Sequence, residues 1–555
     1  MQYMKLRNLL LIAVMVFLLP ACAQKNEIKP TKNLIVMIAD GNSTSLLSVA
    51  RWYKRYLSGD MEQSLNVDPY VCGLVQTNKS DAAITGSAES MSAFMTGVRS
   101  SSANLSIYPE PSPQDFYPQD SSLAWRPAAT VLEAARLWQG KAIGLVVTIR
   151  FNHATPAATC THAGTRSPGR LSLQMASQNL DVVFGGGMAY LTPEVRSLIK
   201  ASGASLLEDD LEGFRSFDGG KLWALFNEKM MDFEIDRDPD DEPSLAEMTA
   251  KAIDILSKNP KGFFLMVEGS KIDHGAHSND ASAAVGDFLA FDEAIKVAID
   301  FAQSDKNTTV VITSDHGTGG ITIADRTLSE YVTPSSASLE TIFGSLSDIK
   351  ASSHRMTSLL RECELSEIPK VFKEWTGIDI TPQEEAKLRN NIHITEEDYM
   401  QVADSYNFQR AIVEIYNSHM HIGFASGNHT AEDVFLAVYH PHGQRPSGII
   451  KNVELNEYLC KVSGFKKPLW ELTDEIFVPY EEVFPNASCT VGGTRNAPFL
   501  TVVSGADTLL IPGWQNVVYK QSSAKTDTLY TRVPSVYMRQ NGMFYIDRTL
   551  ADLIK

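Results

Sequence analysis

At 555 residues the chain exceeds one ordinary domain, and with 44% hydrophobic and 21% charged residues it has the make-up of a globular protein that buries a sizeable core. Its 66 acidic against 49 basic residues give a formal net charge of -17. That balance excludes a general nucleic-acid binder, because phosphate backbones are gripped by basic patches.

The first residues read as an address. Lys5 and Arg7 precede an apolar run from Leu9 to Leu19, too short to span a bilayer comfortably and typical of a signal-peptide core. The run ends in Leu19-Pro20-Ala21-Cys22, which is similar to a bacterial lipobox. Residues 1–22 are therefore expected to export the chain, with Cys22 lipidated and the protein periplasmic or anchored to the outer membrane. Pro20 is unusual in that pattern, which leaves cleavage after a plain small-residue site as an alternative. No later run is long and apolar enough for a transmembrane helix, so a lipid would be the only anchor. The six cysteines are scattered with no C-x-x-C pair, which argues for buried thiols with at most two disulfides.

From Lys32 to about Gly464, short apolar runs alternate with helical patterns, the signature of an α/β fold. Strands are predicted at Asn33–Ala39, Ala142–Thr148, Val182–Phe184, Gly262–Val267, Thr309–Thr313 and Val434–Tyr439. Their near-continuous apolar character is that of parallel strands buried on both faces. Pro127–Trp138 and Ser282–Gln303 carry apolar residues at helical spacing. Residues 324–409 form a long stretch between two strands, with Thr381-Pro382-Gln383-Glu384 as a capped helix start, and are expected to be an inserted cap or crown. The catalytic unit is thus placed at 32–465. Residues 466–555, rich in β-branched and aromatic residues with turns at Ser504-Gly505-Ala506-Asp507 and Gln540-Asn541-Gly542, read as a strand-rich extension.

Chemistry concentrates where the apolar runs end. Val267-Glu268-Gly269-Ser270-Lys271-Ile272-Asp273-His274-Gly275-Ala276-His277 follows one strand, and the four-residue spacing of Asp273 and His277 puts both on one face of a helical turn. A carboxylate beside an imidazole suits zinc, although one such cluster is equally well a solvated loop. The geometry recurs. Thr309–Thr313 delivers Asp315-His316, Asn33–Ala39 delivers Asp40-Gly41, and His429 lies in Gly427-Asn428-His429-Thr430-Ala431-Glu432-Asp433 just before another apolar run. Acids directly after buried strands need partners, and a metal ion satisfies several at once. A further segment, Thr85 to Val98, reads as a short packed helix beginning near Ser87, whose free N–H groups would face an anion. On residue chemistry alone Thr85, Ser87, Ser90 and Ser92 compete there as nucleophiles.

Together Asp40-Gly41, the V-E-G-x-x-I-D-x-x-x-H run, Ser314-Asp315-His316-Gly317-Thr318-Gly319-Gly320 and His429-Thr430-Ala431-Glu432-Asp433-Val434 resemble the ordered metal motifs of alkaline phosphatases, over about Asn33 to Gly464. His153-Ala154-Thr155-Pro156-Ala157 and Val183-Phe184-Gly185-Gly186-Gly187 are similar as well. The resemblance implies that family's fold and a phosphate monoesterase using two zinc ions and one magnesium ion. One zinc would take Asp273, His277 and His429. The other would take Asp40, Asp315 and His316, and magnesium would take Asp40, Thr155 and Glu268. His153 and His274 would flank the magnesium as a second shell. The resemblance further implies Ser87 as nucleophile, Arg166 as phosphate-binding residue, small phosphate monoesters as substrates and a homodimer. Two positions depart from the family. Asn42 stands where Met-Gly often follows Asp-Gly, and Gly86 replaces the aspartate that helps orient the arginine.

Overall fold

The computed structural model describes residues 27–324, 337–393, 407–522 and 525–554. The proposed export signal and Cys22 lie outside them, as do parts of the expected cap. A ten-stranded sheet organises the rest. Its strands in chain order are β1 (Asn33–Ala39), β2 (Val71–Gln76), β3 (Ala142–Arg150), β4 (Val182–Gly186), β5 (Ser205–Glu208), β6 (Leu222–Leu225), β7 (Phe263–Gly269), β8 (Thr308–Thr313), β9 (Val434–Tyr439) and β10 (Gly448–Lys451). They lie side by side as β10-β2-β9-β8-β1-β7-β3-β4-β6-β5.

Every residue of β1, β7 and β8 is buried. Helices cover both faces of the sheet, so these central strands carry no alternation. A Val, Leu, Ile or Phe side chain buried this way contributes about 1.5–3 kcal/mol over the exposed state. The sheet's centre, where the motifs emerge, is therefore its most stable part. Nine strands run parallel. The exception is β9, antiparallel to both β8 and β2, which corrects the expectation that Val434–Tyr439 is a parallel strand. The reversal has a functional consequence. The carboxyl ends of β1, β7 and β8 point toward one edge, and β9 enters the sheet from that same edge. His429, which precedes β9, thereby joins residues that follow the other strands.

The described part of 324–409 is helical: Leu339–Asp348, Ser353–Glu362, Ile368–Thr376 and Pro382–Asn391, the last with the expected Thr381–Glu384 capping box. Phe343, Met356, Leu360 and Phe372 share one buried cluster with Ile35, Met37 and Ile312 of the sheet. This region is packed against the sheet's own core. The C-terminal segment opens with a helix, Leu469–Ile476, before its strands begin. A five-stranded antiparallel sheet spans Ser488–Tyr530, and a three-stranded one contains the Val536–Met538/Met543–Ile546 hairpin. Both turn signals fall between paired strands. Val517, Val536, Met538 and Tyr545 sit in the same buried cluster as Ile38 and Leu145. The Arg170 guanidinium lies 5.1 Å over the Trp514 ring, close after the Arg166 segment. The five described cysteines are all unpaired. Among the described residues no helix is long and apolar enough to cross a membrane.

Candidate active site

Asp40 follows β1, and Gly41 turns the chain at φ 67° in the left-handed region. A side chain on Gly41 would also collide with Asp273, whose Oδ1 lies 2.4 Å from the Cβ position. Only glycine lets the β1 turn and the β7 helix approach this closely. Asp273 and His277 both lie on the helix Lys271–His277, with His277 Nε2 3.4 Å from Asp273 Oδ2. His277 Nδ1 donates to the Gly427 carbonyl at 2.6 Å and His429 Nδ1 donates to the Thr85 carbonyl at 2.7 Å. A carbonyl can only accept, so each neutral ring keeps its lone pair on Nε2. Those two Nε2 atoms face each other at 3.1 Å. Two lone pairs so placed repel unless a cation lies near both.

The second group surrounds His316, with Nε2 3.5 Å from Asp40 Oδ1 and 3.4 Å from Asp315 Oδ2. Its ligand set is complete without His429, whose ring stacks on His316 at 3.8 Å between centroids. The third group joins Asp40 and Glu268 with His153. His153 offers a ring nitrogen near both carboxylates, and His274 stands edge-on to it with ring centroids 6.1 Å apart. Thr155 is the second residue of the helix Ala154–Cys160, whose N-cap residue is His153.

Both oxygens of Asp40 and of Glu268, Oδ2 of Asp315 and Oγ1 of Thr155 are buried without a hydrogen-bond partner. Leaving so many acceptors unpaired is costly. Burial, reinforced by Asp315, Asp273 and Glu268, drives Asp40 well above the usual carboxylate range. Burial and Asp273 push Asp315 up to about 8, and burial pushes Glu268 up to about 7. Divalent cations fit this donor set because they supply the charge that the carboxylates lack.

A consequence follows for stability. Unfolded carboxyls release their protons near 3.8 and 4.5, whereas the folded chain keeps those of Asp315 and Glu268 to about 8 and about 7. The ion-free protein therefore loses stability as pH rises through that window. Thermal melts with chelator should show a falling melting temperature toward about pH 8, and added zinc and magnesium should raise it most at the alkaline end. A chelated protein with a flat profile across the window would contradict this electrostatic picture.

The four competing hydroxyls separate in space. Ser92 Oγ donates to the Ala88 carbonyl at 2.6 Å and accepts from the Ser106 N–H, and Ser90 Oγ bonds Thr85 Oγ1. Ser87 is the first residue of the helix Ser87–Thr96, and its Oγ lies 3.3 Å from His316 Nε2. Arg166 reaches the same place from the segment after Ala154–Cys160, with Nη2 3.3 Å from Glu89 Oε2. Glu89 is the residue the sequence reading passed over. The available signal was helical spacing, which sets it one turn beyond Gly86. Asn42 is buried, its amide nitrogen donating to the Ser43 carbonyl at 3.1 Å.

A buried bed of cation-seeking donors with a hydroxyl at a helix start beside it places the protein among metal-dependent hydrolases. A family model described as alkaline phosphatase matches residues 31–465. The chain is 32% identical to alkaline phosphatase 3 of Bacillus subtilis over 78% of its own length and 88% of that protein's. Its fold is similar to the crystal structures of a cold-active alkaline phosphatase from a psychrophilic Shewanella (TM-score 0.67, 25% identity, 78% of this chain and 100% of that one) and of the Thermus thermophilus enzyme (TM-score 0.66, 25% identity, 82% and 99%). The chain belongs to the alkaline phosphatase family. It is a phosphatase, and phosphate monoester hydrolysis is the activity that membership supports.

Proposed function

We propose that the protein is a broad-specificity phosphate monoesterase working through a phosphoserine on Ser87. Two zinc ions would be held by Asp273, His277 and His429 and by Asp40, Asp315 and His316, and a magnesium ion by Asp40, Thr155 and Glu268. The observation that carries the reading is the set of orphaned buried oxygens together with the Ser87 hydroxyl, which lies 3.3 Å from His316 of one of the donor groups. When bound, such ions lower the pKa of nearby hydroxyl groups and water and offset charge on phosphate oxygens.

The chain's own residues supply the rest. Ser87 Oγ gives its proton to solvent and bonds phosphorus as the ester O–P bond breaks, the leaving oxygen taking up a proton. Water then attacks phosphorus, the Oγ–phosphorus bond breaks, Ser87 Oγ regains a proton and phosphate departs. The helix that Ser87 begins presents N–H groups to the phosphoryl oxygens. Arg166 offers a planar fork to two of them. His153 and His274 orient and tune the third site. Export with a lipid on Cys22, supported by the Leu9–Leu19 run, and homodimerisation, supported by the family, complete the proposal.

Purified protein should release phosphate from an aryl phosphate at alkaline pH. Chelator should abolish the release, and zinc with magnesium should restore it. Equal turnover of an aryl diester and its monoester would overturn the monoesterase assignment.

A further inference from the structure

The backbone at Gly86 is extended (φ -138°, ψ 174°), a conformation that any residue adopts. Conformation therefore does not require glycine there, but a side chain would be crowded. A Cβ at Gly86 would lie 3.0 Å from Glu89 Oε2, 3.3 Å from Arg166 Nη2 and 3.3 Å from His429 Cε1. The atom nearest that Cβ position is a carboxylate oxygen that comes from elsewhere in the chain.

Glu89 stands three residues on, so its side chain lies over the same face of the helix start. Oε2 is 3.3 Å from Arg166 Nη2, and Oε1 accepts the Ala103 N–H at 2.5 Å. The Glu89 side chain is 5% exposed and that of Arg166 is 36% exposed. One end of the pair is thus buried in the protein and the other is partly exposed. A carboxylate in the first turn of a helix also suits its positive end.

We infer that Glu89 is the positioning residue for Arg166, so that the carboxylate expected immediately before the nucleophile is supplied two residues after it. The inference rests on Arg166 being the phosphate-binding residue. Glu89 and Gly86 then form one unit: glycine makes room for the longer acid, and the longer acid reaches the guanidinium. A long arginine loses less orientational freedom on binding phosphate if a buried acid already holds it.

Inorganic phosphate, used as a competitive inhibitor of the metal-loaded enzyme, reads this out. Glu89→Gln keeps an acceptor for Ala103 and removes the charge facing Arg166. It should weaken phosphate inhibition and raise KM by about tenfold, the scale of one hydrogen bond to a charged group, with a much smaller change in kcat. Arg166→Ala should weaken inhibition at least as much, and Glu89→Gln should add nothing in that background. Gly86→Asp combined with Glu89→Ala should recover the phosphate inhibition that Glu89→Ala alone loses. If Arg166→Ala weakens phosphate binding while Glu89→Gln does not, or if the two effects add, the positioning role is wrong. If Arg166→Ala leaves phosphate inhibition unchanged, the fault lies with the arginine assignment instead.

Discussion

Ser87→Ala should lower turnover of an aryl phosphate by roughly 10⁴–10⁶-fold, the scale on which removal of catalytic-triad members acts in serine proteases. The expectation comes from position. Ser90 and Ser92 spend their hydroxyls on local hydrogen bonds, while Ser87 Oγ lies 3.3 Å from His316 Nε2 at the helix start. The replacement deletes one hydroxyl and leaves every carboxylate and imidazole of the three groups in place. Metal content by elemental analysis should stay at the parent level. Acid quench of the parent during turnover should trap phosphate on the protein, and the same quench of Ser87→Ala should trap none. Parent-like turnover in the variant would remove Ser87 from the mechanism.

Asp40→Asn should have the second large effect, and an unusual pair of signs. Asp40 belongs to two of the three donor groups. Losing its charge should lower the metal content of both and cut activity by more than about 100-fold, the upper range for mutating mere outer-shell partners. Ion-free protein should respond in the opposite way. Both Asp40 oxygens are buried without a hydrogen bond, and burial together with neighbouring acids opposes its ionisation. An amide removes that repulsion, so chelated Asp40→Asn should melt at a higher temperature than chelated parent at alkaline pH. Calorimetry on both chelated proteins decides the matter. A lower melting temperature for the variant would mean that Asp40 is stabilised by something other than cations.

The central strands were legible because burial on both faces leaves a continuous apolar run. Asn33–Ala39 and Val434–Tyr439 were placed to the residue. Leu222–Leu225 escapes notice although it is wholly apolar and buried, because four residues are too few to mark a strand, and three other missed strands lack the signal altogether. Ser205–Glu208 and Gly448–Lys451 are four residues each and largely exposed, and Val71–Gln76 buries only Val75 fully. The reversal of one strand was not legible, since Val434–Tyr439 is as apolar as its parallel neighbours and runs the other way. Within the candidate site, acids that directly follow apolar runs announced themselves. Glu89 did not, because a glutamate in a first helical turn is ordinary and its partner Arg166 lies 77 residues away. Ser87 could be separated from its neighbours only once hydrogen bonds to Ala88 and Thr85 were known to occupy the others.

The reversed strand β9 also changes what an ion would do mechanically. His277 and His429 meet at 3.1 Å although 152 residues separate them, and residues 324–409, the expected cap, lie within that interval. A cation held by both would act as a cross-link closing a long loop, and the entropy such a link removes from the unfolded chain grows only with the logarithm of loop length. Lengthening or shortening the cap would therefore alter this contribution little. The length of that stretch can vary without loosening the clasp its ends would share.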